Sequence, residues 1–214
     1  MQFQLPFRRG GGRAEPEIGR DRQQLVDLVH GKHYADAMEG RVFSQQNTPL
    51  GLAIPIYTAT AIAGSMPIWN PPGSGVNVEL IKVATTRASG TSDFGAIVLM
   101  ARRLGAIATG EIMTAMANTT PDNAILLAGA ASRVLSSNAG TCTVSAGVAA
   151  DAKRTLFGIN LEADTGTAHA ATVAEVDLDG TVIVPPGVLV YLACTKASVA
   201  LFSTSIVWKE IPIS

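Results

Sequence analysis

Apolar residues in this chain recur at every second position or in short unbroken runs, and rarely at helical spacing. Val76, Val78 and Leu80 alternate with Asn77 and Glu79, the period of a half-buried strand. A bulge at Leu80–Ile81 would carry the alternation on to Lys82. Gly95 to Ala101 is continuously apolar, which fits a strand covered on both faces, although periodicity alone leaves a buried helix open. Leu50 to Tyr57 reads as an edge-like strand because it contains Pro55. Further strands are expected at Ile68–Trp69, Ile125–Leu127, Thr141–Val144, Leu156–Leu161 and, with imperfect alternation, Thr172–Leu178. Val188–Cys194 and Val199–Ile211 read as a hairpin around Lys196–Ser198, with Phe202, Ile206 and Trp208 on the core face of its last strand.

Two near-identical turns punctuate this pattern, Pro71-Pro72-Gly73 and Pro185-Pro186-Gly187. The first Pro holds the preceding residue extended, the second cannot donate to a ladder, and Gly accepts positive φ. Each turn therefore ends one strand and launches another. Eight to ten strands without helical spacers predict an all-β fold, an antiparallel β-sandwich of jelly-roll type.

The first 47 residues differ. They hold seven of the 16 Lys and Arg and six of the 17 Asp and Glu of a 214-residue chain. We read residues 1–47 as an extended, partly helical N-terminal arm and 48–214 as the sandwich body. In the arm, the apolar plug Phe3, Leu5 and Phe7 precedes Arg8, Arg9, the joint Gly10–Gly12, and Arg13. Asp21 is placed to cap a helix whose stripe is Leu25, Leu28 and Val29, ending at Gly31. A second short helix is expected over Lys32–Met38, closed by Gly40. So narrow a stripe buries little alone, so these nine side chains, Phe3 to Val29, are the candidate partner-binding residues.

Composition narrows the function. With 47% hydrophobic and 15% charged residues the body can build a core, and no uninterrupted apolar stretch is long enough to span a membrane. The Arg residues follow the short apolar patch, the reverse of a secretory signal, so synthesis and folding in the cytoplasm are expected. A net charge of −1 gives no general attraction to nucleic acid. Cys142 and Cys194 lie in separate apolar runs without CxxC spacing, and buried reduced thiols are preferred over a disulfide.

Candidate chemistry is thin. His30 and His33 have a spacing that can hold a metal on a helix, but Gly31 lies between them and no further ligand motif follows. His169 sits in a small-residue loop, so the strand histidines of a jelly-roll metal enzyme of the cupin kind are missing. Asp93-Phe94-Gly95 matches a kinase tripeptide without its companion motifs. Glu175, Asp177 and Asp179 would share one strand face, better read as solvated than as a calcium site. Ser132 and Ser136 lack a nucleophile elbow, and Asn118–Thr120 is a sequon without a secretory context. The arm arginines lack an aromatic stacking platform beyond Phe3 and Phe7, which favours an acidic protein partner over nucleic acid. No catalytic residue, metal ligand or cofactor cradle is assigned, and a non-enzymatic role is expected.

Asp21 to Tyr34 followed by Gly40-Arg41-Val42-Phe43, then Ile68 to Val76, then Val184 to Trp208 resemble small structural proteins of tailed-bacteriophage virions. That resemblance implies a virion component, a decoration or cement protein of the capsid or a tail-associated adaptor, made in the host bacterial cytoplasm. It implies an arm docked on other virion proteins and a displayed sandwich. Symmetric self-association is the default for such a low-charge body, with a trimer expected. The competing expectation is a displayed jelly-roll module that binds receptor or glycan through loops 105–140 or 162–172. A depolymerase using Glu175 or Asp177 is the third.

Overall fold

A computed structural model describes residues 31–57, 62–91, 95–103, 121–124, 131–138, 142–144, 153–161, 173–196 and 199–213. The helix expected over 21–31 and the strand expected at Ile125–Leu127 lie outside them. Contacts divide the chain between Tyr34 and Ala35, and the described strands all belong to the second unit.

Among the described residues there is one short helix, α1 (Tyr34–Met38), and eleven strands. In chain order these are β1 (Val42–Gln46), β2 (Ile62–Asn70), β3 (Val76–Ser89), β4 (Gly95–Arg103), β5 (Asp122–Asn123), β6 (Leu135–Ser136), β7 (Cys142–Val144), β8 (Lys153–Leu161), β9 (Val173–Val184), β10 (Val188–Cys194) and β11 (Leu201–Pro212). They form two antiparallel sheets. One has the order β5-β1-β11-β3-β9; the other runs β6-β2-β10-β4-β8, with β7 also on β2. The all-β, two-sheet architecture agrees with the alternation in the sequence.

The core lies between the sheets. Phe43, Val78, Leu80, Val83, Phe202, Ile206 and Trp208 from one meet Met66, Ile68, Ile97, Leu99, Val190 and Leu192 from the other. β11 is the central strand of its sheet and alternates strictly, with Phe202, Thr204, Ile206, Trp208 and Glu210 buried. Trp208 stacks on Phe43, its register partner in β1, with ring centroids 6.1 Å apart. β4 and β10 are buried on both sides. Ile97 and Leu99 face the inter-sheet core, while Val98 and Met100 join Trp69, Leu189, Tyr191 and Ala193 in a second cluster. The unbroken apolar run of β4 therefore marks a doubly covered strand.

Both Pro-Pro-Gly turns carry the chain from one sheet to the other, β2 to β3 and β9 to β10. Ser74 N–H donates to Pro71 O at 3.1 Å and Val188 N–H to Pro185 O at 3.3 Å. Gly73 and Gly187 take φ of 80° and 84° at the third position of each turn, as a type II turn requires.

Four expectations change in detail. β10 and β11 do not form a hairpin: β10 pairs with β2 and β4, and β11 with β1 and β3. Both are apolar enough to be central strands, so each takes two other partners and the 195–200 connection crosses between sheets. Leu50–Tyr57 is not a strand but an extended crossing that makes isolated bridges from Leu52 to Phe202 and from Ile56 to Cys194. Pro55, with no N–H to give, uses its carbonyl to accept from Cys194 N–H at 2.8 Å. Val42–Gln46, grouped with the arm by charge count, is strand β1 in full register with β11. The local reason is that Val42, Phe43 and Gln45 are buried there. Finally, the strand expected over Thr172–Leu178 runs on to Val184 as β9, interrupted where Asp179 and Gly180 adopt φ of 50° and 85°. The register shift expected at Leu80–Ile81 is present, with Ile81 the extra residue against β11.

Candidate functional site

One network of charged side chains gathers where α1 runs into β1. α1 ends in a Schellman motif: Arg41 N–H donates to Asp36 O and Gly40 N–H to Ala37 O, both at 2.9 Å, with Gly40 at φ 71°. This agrees with the helix stop expected at Gly40. The reversal lays Arg41 against Glu39 and Asp36. Lys209 of β11 continues the chain of charges, 3.3 Å from Asp36 and 3.1 Å from Glu79. Burial alone would lower the Lys209 pKa, but Glu79 and Asp36 outweigh it and hold it above 10.5.

Beside this network is a cleft of about 230 Å³ whose walls include Arg41, Phe43, Val76, Arg133, Glu210 and Pro212. Glu210 is 5% exposed, and its carboxylate is fully engaged. Ser132 Oγ donates to it at 2.5 Å and Arg133 N–H donates to its two oxygens at 3.2 and 3.1 Å. The side chain thus holds the 131–134 segment in place. No described residue pairs with the exposed Arg133 guanidinium. The cleft is a structured notch whose buried carboxylate is engaged by the 132–133 segment, not an acid–base pair flanking an open reaction volume.

The nine arm residues proposed as partner contacts, Phe3, Leu5, Phe7, Arg8, Arg9, Arg13, Leu25, Leu28 and Val29, lie outside the described residues. So do His30, His169, Asp93, Phe94 and the sequon. His33 precedes α1, in the turn closed by Tyr34 N–H on Gly31 O at 2.9 Å. Ser136 Oγ donates to the buried Gln45 Oε1 at 2.7 Å, so this serine and Ser132 both serve the scaffold. Glu175 and Asp177 are exposed on β9, and Lys82 Nζ bridges them, hydrogen-bonded to Glu175 and 3.5 Å from Asp177. The Glu175 hydrogen bond is the main cause of a raised Lys82 pKa. Among the described residues no three His, Cys, Asp or Glu gather closely enough to hold a metal ion. No described helix is long and apolar enough to cross a membrane.

Sequence reading missed two buried amides. Asn70 Nδ2 donates to Val76 O and to Val184 O, both at 2.9 Å, while Asn70 O accepts from Gly187 N–H at 2.7 Å. One side chain ties the two Pro-Pro-Gly turns together. Asn47 does similar work where β1 ends: its Nδ2 donates to Phe202 O at 2.8 Å and its Oδ1 accepts from Thr204 N–H at 2.9 Å. The available signal was an amide at each strand end, Asn70 directly before Pro71.

At the far end of the sandwich from those turns, apolar side chains are exposed beside the start of β11. Leu50 is 80% and Val199 74% exposed, with Ile56 and Tyr57 close to the last residue of β10. No protein-family model, curated protein or solved structure matches the chain.

Proposed function

We propose that this chain is a non-enzymatic structural component of a bacteriophage particle, decorating or cementing the capsid or associated with the tail, and that its body is a jelly roll. The observation that carries the reading is strand order. Numbering only the eight strands of five or more residues, the sheets run 1-8-3-6 and 2-7-4-5, the order of two interleaved Greek keys. Jelly rolls of this kind serve as viral capsid and lectin domains. Function does not follow from fold alone, so the step to a particle component rests on three further supports. These are the resemblance of the arm and the two turn regions to phage virion proteins, the absence of an open catalytic constellation among the described residues, and the exposed apolar rim at Leu50 and Val199. Rims of that kind suit contacts between copies, and a trimer anchored through residues 1–47 is the assembly we favour.

The test is mass spectrometry of purified particles of the phage that encodes the chain. Fixed, multi-copy stoichiometry is expected. Presence in the lysate with absence from particles would remove the reading. Because the same strand order serves lectins, a glycan array is the second experiment: a saturable hit abolished by changes in loops 105–140 or 162–172 would replace the structural role by a displayed binding module.

A further inference from the structure

We propose that the outer face of the β2-β10-β4-β8 sheet seats a small oxyanion at Arg102. Val98, Met100 and Arg102 share one side of β4, the side of the second cluster, away from the inter-sheet core. Arg102 is 2% exposed, yet its Nε and Nη2 meet no hydrogen-bond acceptor among the described residues. Trp69 is fully buried on the same face, and its Nε1 is also without an acceptor.

Register places these groups in one row. Trp69 stands opposite Leu189, Leu189 opposite Arg102, and Lys153 holds the next position on β8. Trp69 and Arg102 are thus two strand spacings apart, roughly 10 Å between backbones. Leu189 holds the position between them, so an anion shared by the guanidinium and the indole edge would lie over its side chain. Both open groups are donors; Val98, Leu189 and Ala193 beside them carry no acceptor, and neither group bonds the Tyr191 hydroxyl of the same cluster.

A guanidinium cannot escape its charge by losing a proton, and leaving it buried and unpaired is strongly unfavourable. Its planar fork matches two oxygens of a phosphate, sulfate or carboxylate. The ligand class is therefore a compact oxyanion, taken up with Arg102 as its charge partner and the Trp69 indole as a second donor.

Thermal unfolding of the full chain in phosphate, in acetate and in chloride at matched ionic strength tests this, together with titration calorimetry using inorganic phosphate. A saturable rise in Tm of about 5–10 °C is expected at roughly a hundred times the dissociation constant. A response to phosphate alone would assign a tetrahedral anion, and one to acetate alone a carboxylate; no response to either would overturn the proposal. Arg102→Met separates site binding from the general stabilising effect of excluded salts. The variant should fold at least as stably in chloride as the parent and lose the anion-specific shift. An unchanged shift would contradict the site. So would an unfolded Arg102→Met, since removing an unpaired buried charge should not cost stability. Trp69→Phe, which keeps most of the apolar bulk and removes the indole N–H, should weaken the titrated affinity, and an unaltered affinity would exclude the second donor.

Discussion

Asn70 shows how much of this fold depends on a single polar side chain. Its amide satisfies Val76 O and Val184 O at the mouths of both Pro-Pro-Gly turns. Asn70→Ala would take the amide from two buried carbonyls, Val76 O keeping only the Ser74 Oγ bond at 3.3 Å, and a buried group left unsatisfied costs about 1–3 kcal/mol. We expect a loss of roughly 1–4 kcal/mol in urea unfolding, and a loss below 1 kcal/mol would show that the clasp is incidental. Cys194 sets a second expectation. Burial pushes its thiol from 9.0 to about 11. Between those values the unfolded chain has lost a proton that the folded chain retains, so stability falls as pH rises through that window. Lys82 and Lys209, both held above 10.5 by carboxylate partners, add stability that is complete below 10.5 and lost as pH rises through their folded values. Melting curves from pH 8 to 11 should therefore show falling Tm, and Cys194→Ala should flatten the part near pH 9–10. An unchanged slope in that variant would assign the fall to other groups.

At the scale of elements, the two kinds of glycine separate backbone demand from packing demand. Gly187 has open space where a Cβ would stand and needs only its φ of 84°. Gly187→Ala should cost about 1–2 kcal/mol by conformational strain alone. Gly64 of β2 is the opposite case, because a Cβ there would enter the Tyr191 ring. Gly64→Ala should cost about 1–3 kcal/mol by overpacking, and Tyr191→Leu in the same chain should recover part of it. Independent, additive effects of the two changes would contradict the contact. The legible elements were those whose pattern is local: the β11 alternation, the doubly buried β4, the Ile81 bulge and the Gly40 stop. β10 and β11 were misjudged as a hairpin because adjacency in sequence does not reveal which sheet edge a strand joins. Pairing depends on residues more than a hundred positions away, as between Val42 and Lys209.

For the whole molecule, composition and turn chemistry were enough to anticipate a two-sheet antiparallel body. They did not reveal Arg102 or the Glu210 anchor, because a lone charge at the end of an apolar strand has no periodic signature. Its meaning appears only when burial and neighbours are known. The candidate partner residues, by contrast, were read wholly from the arm, from the plug Phe3–Phe7, the basic cluster and the Leu25–Val29 stripe. The described strands of both sheets begin at or after Val42. The most direct measurement is therefore the particle occupancy of a chain lacking residues 1–20, read by quantitative mass spectrometry of purified particles beside a circular-dichroism spectrum of the free protein. The expected result is a folded β body that no longer joins particles. Full occupancy of the truncated chain would contradict the anchor, and with it the role proposed for the arm.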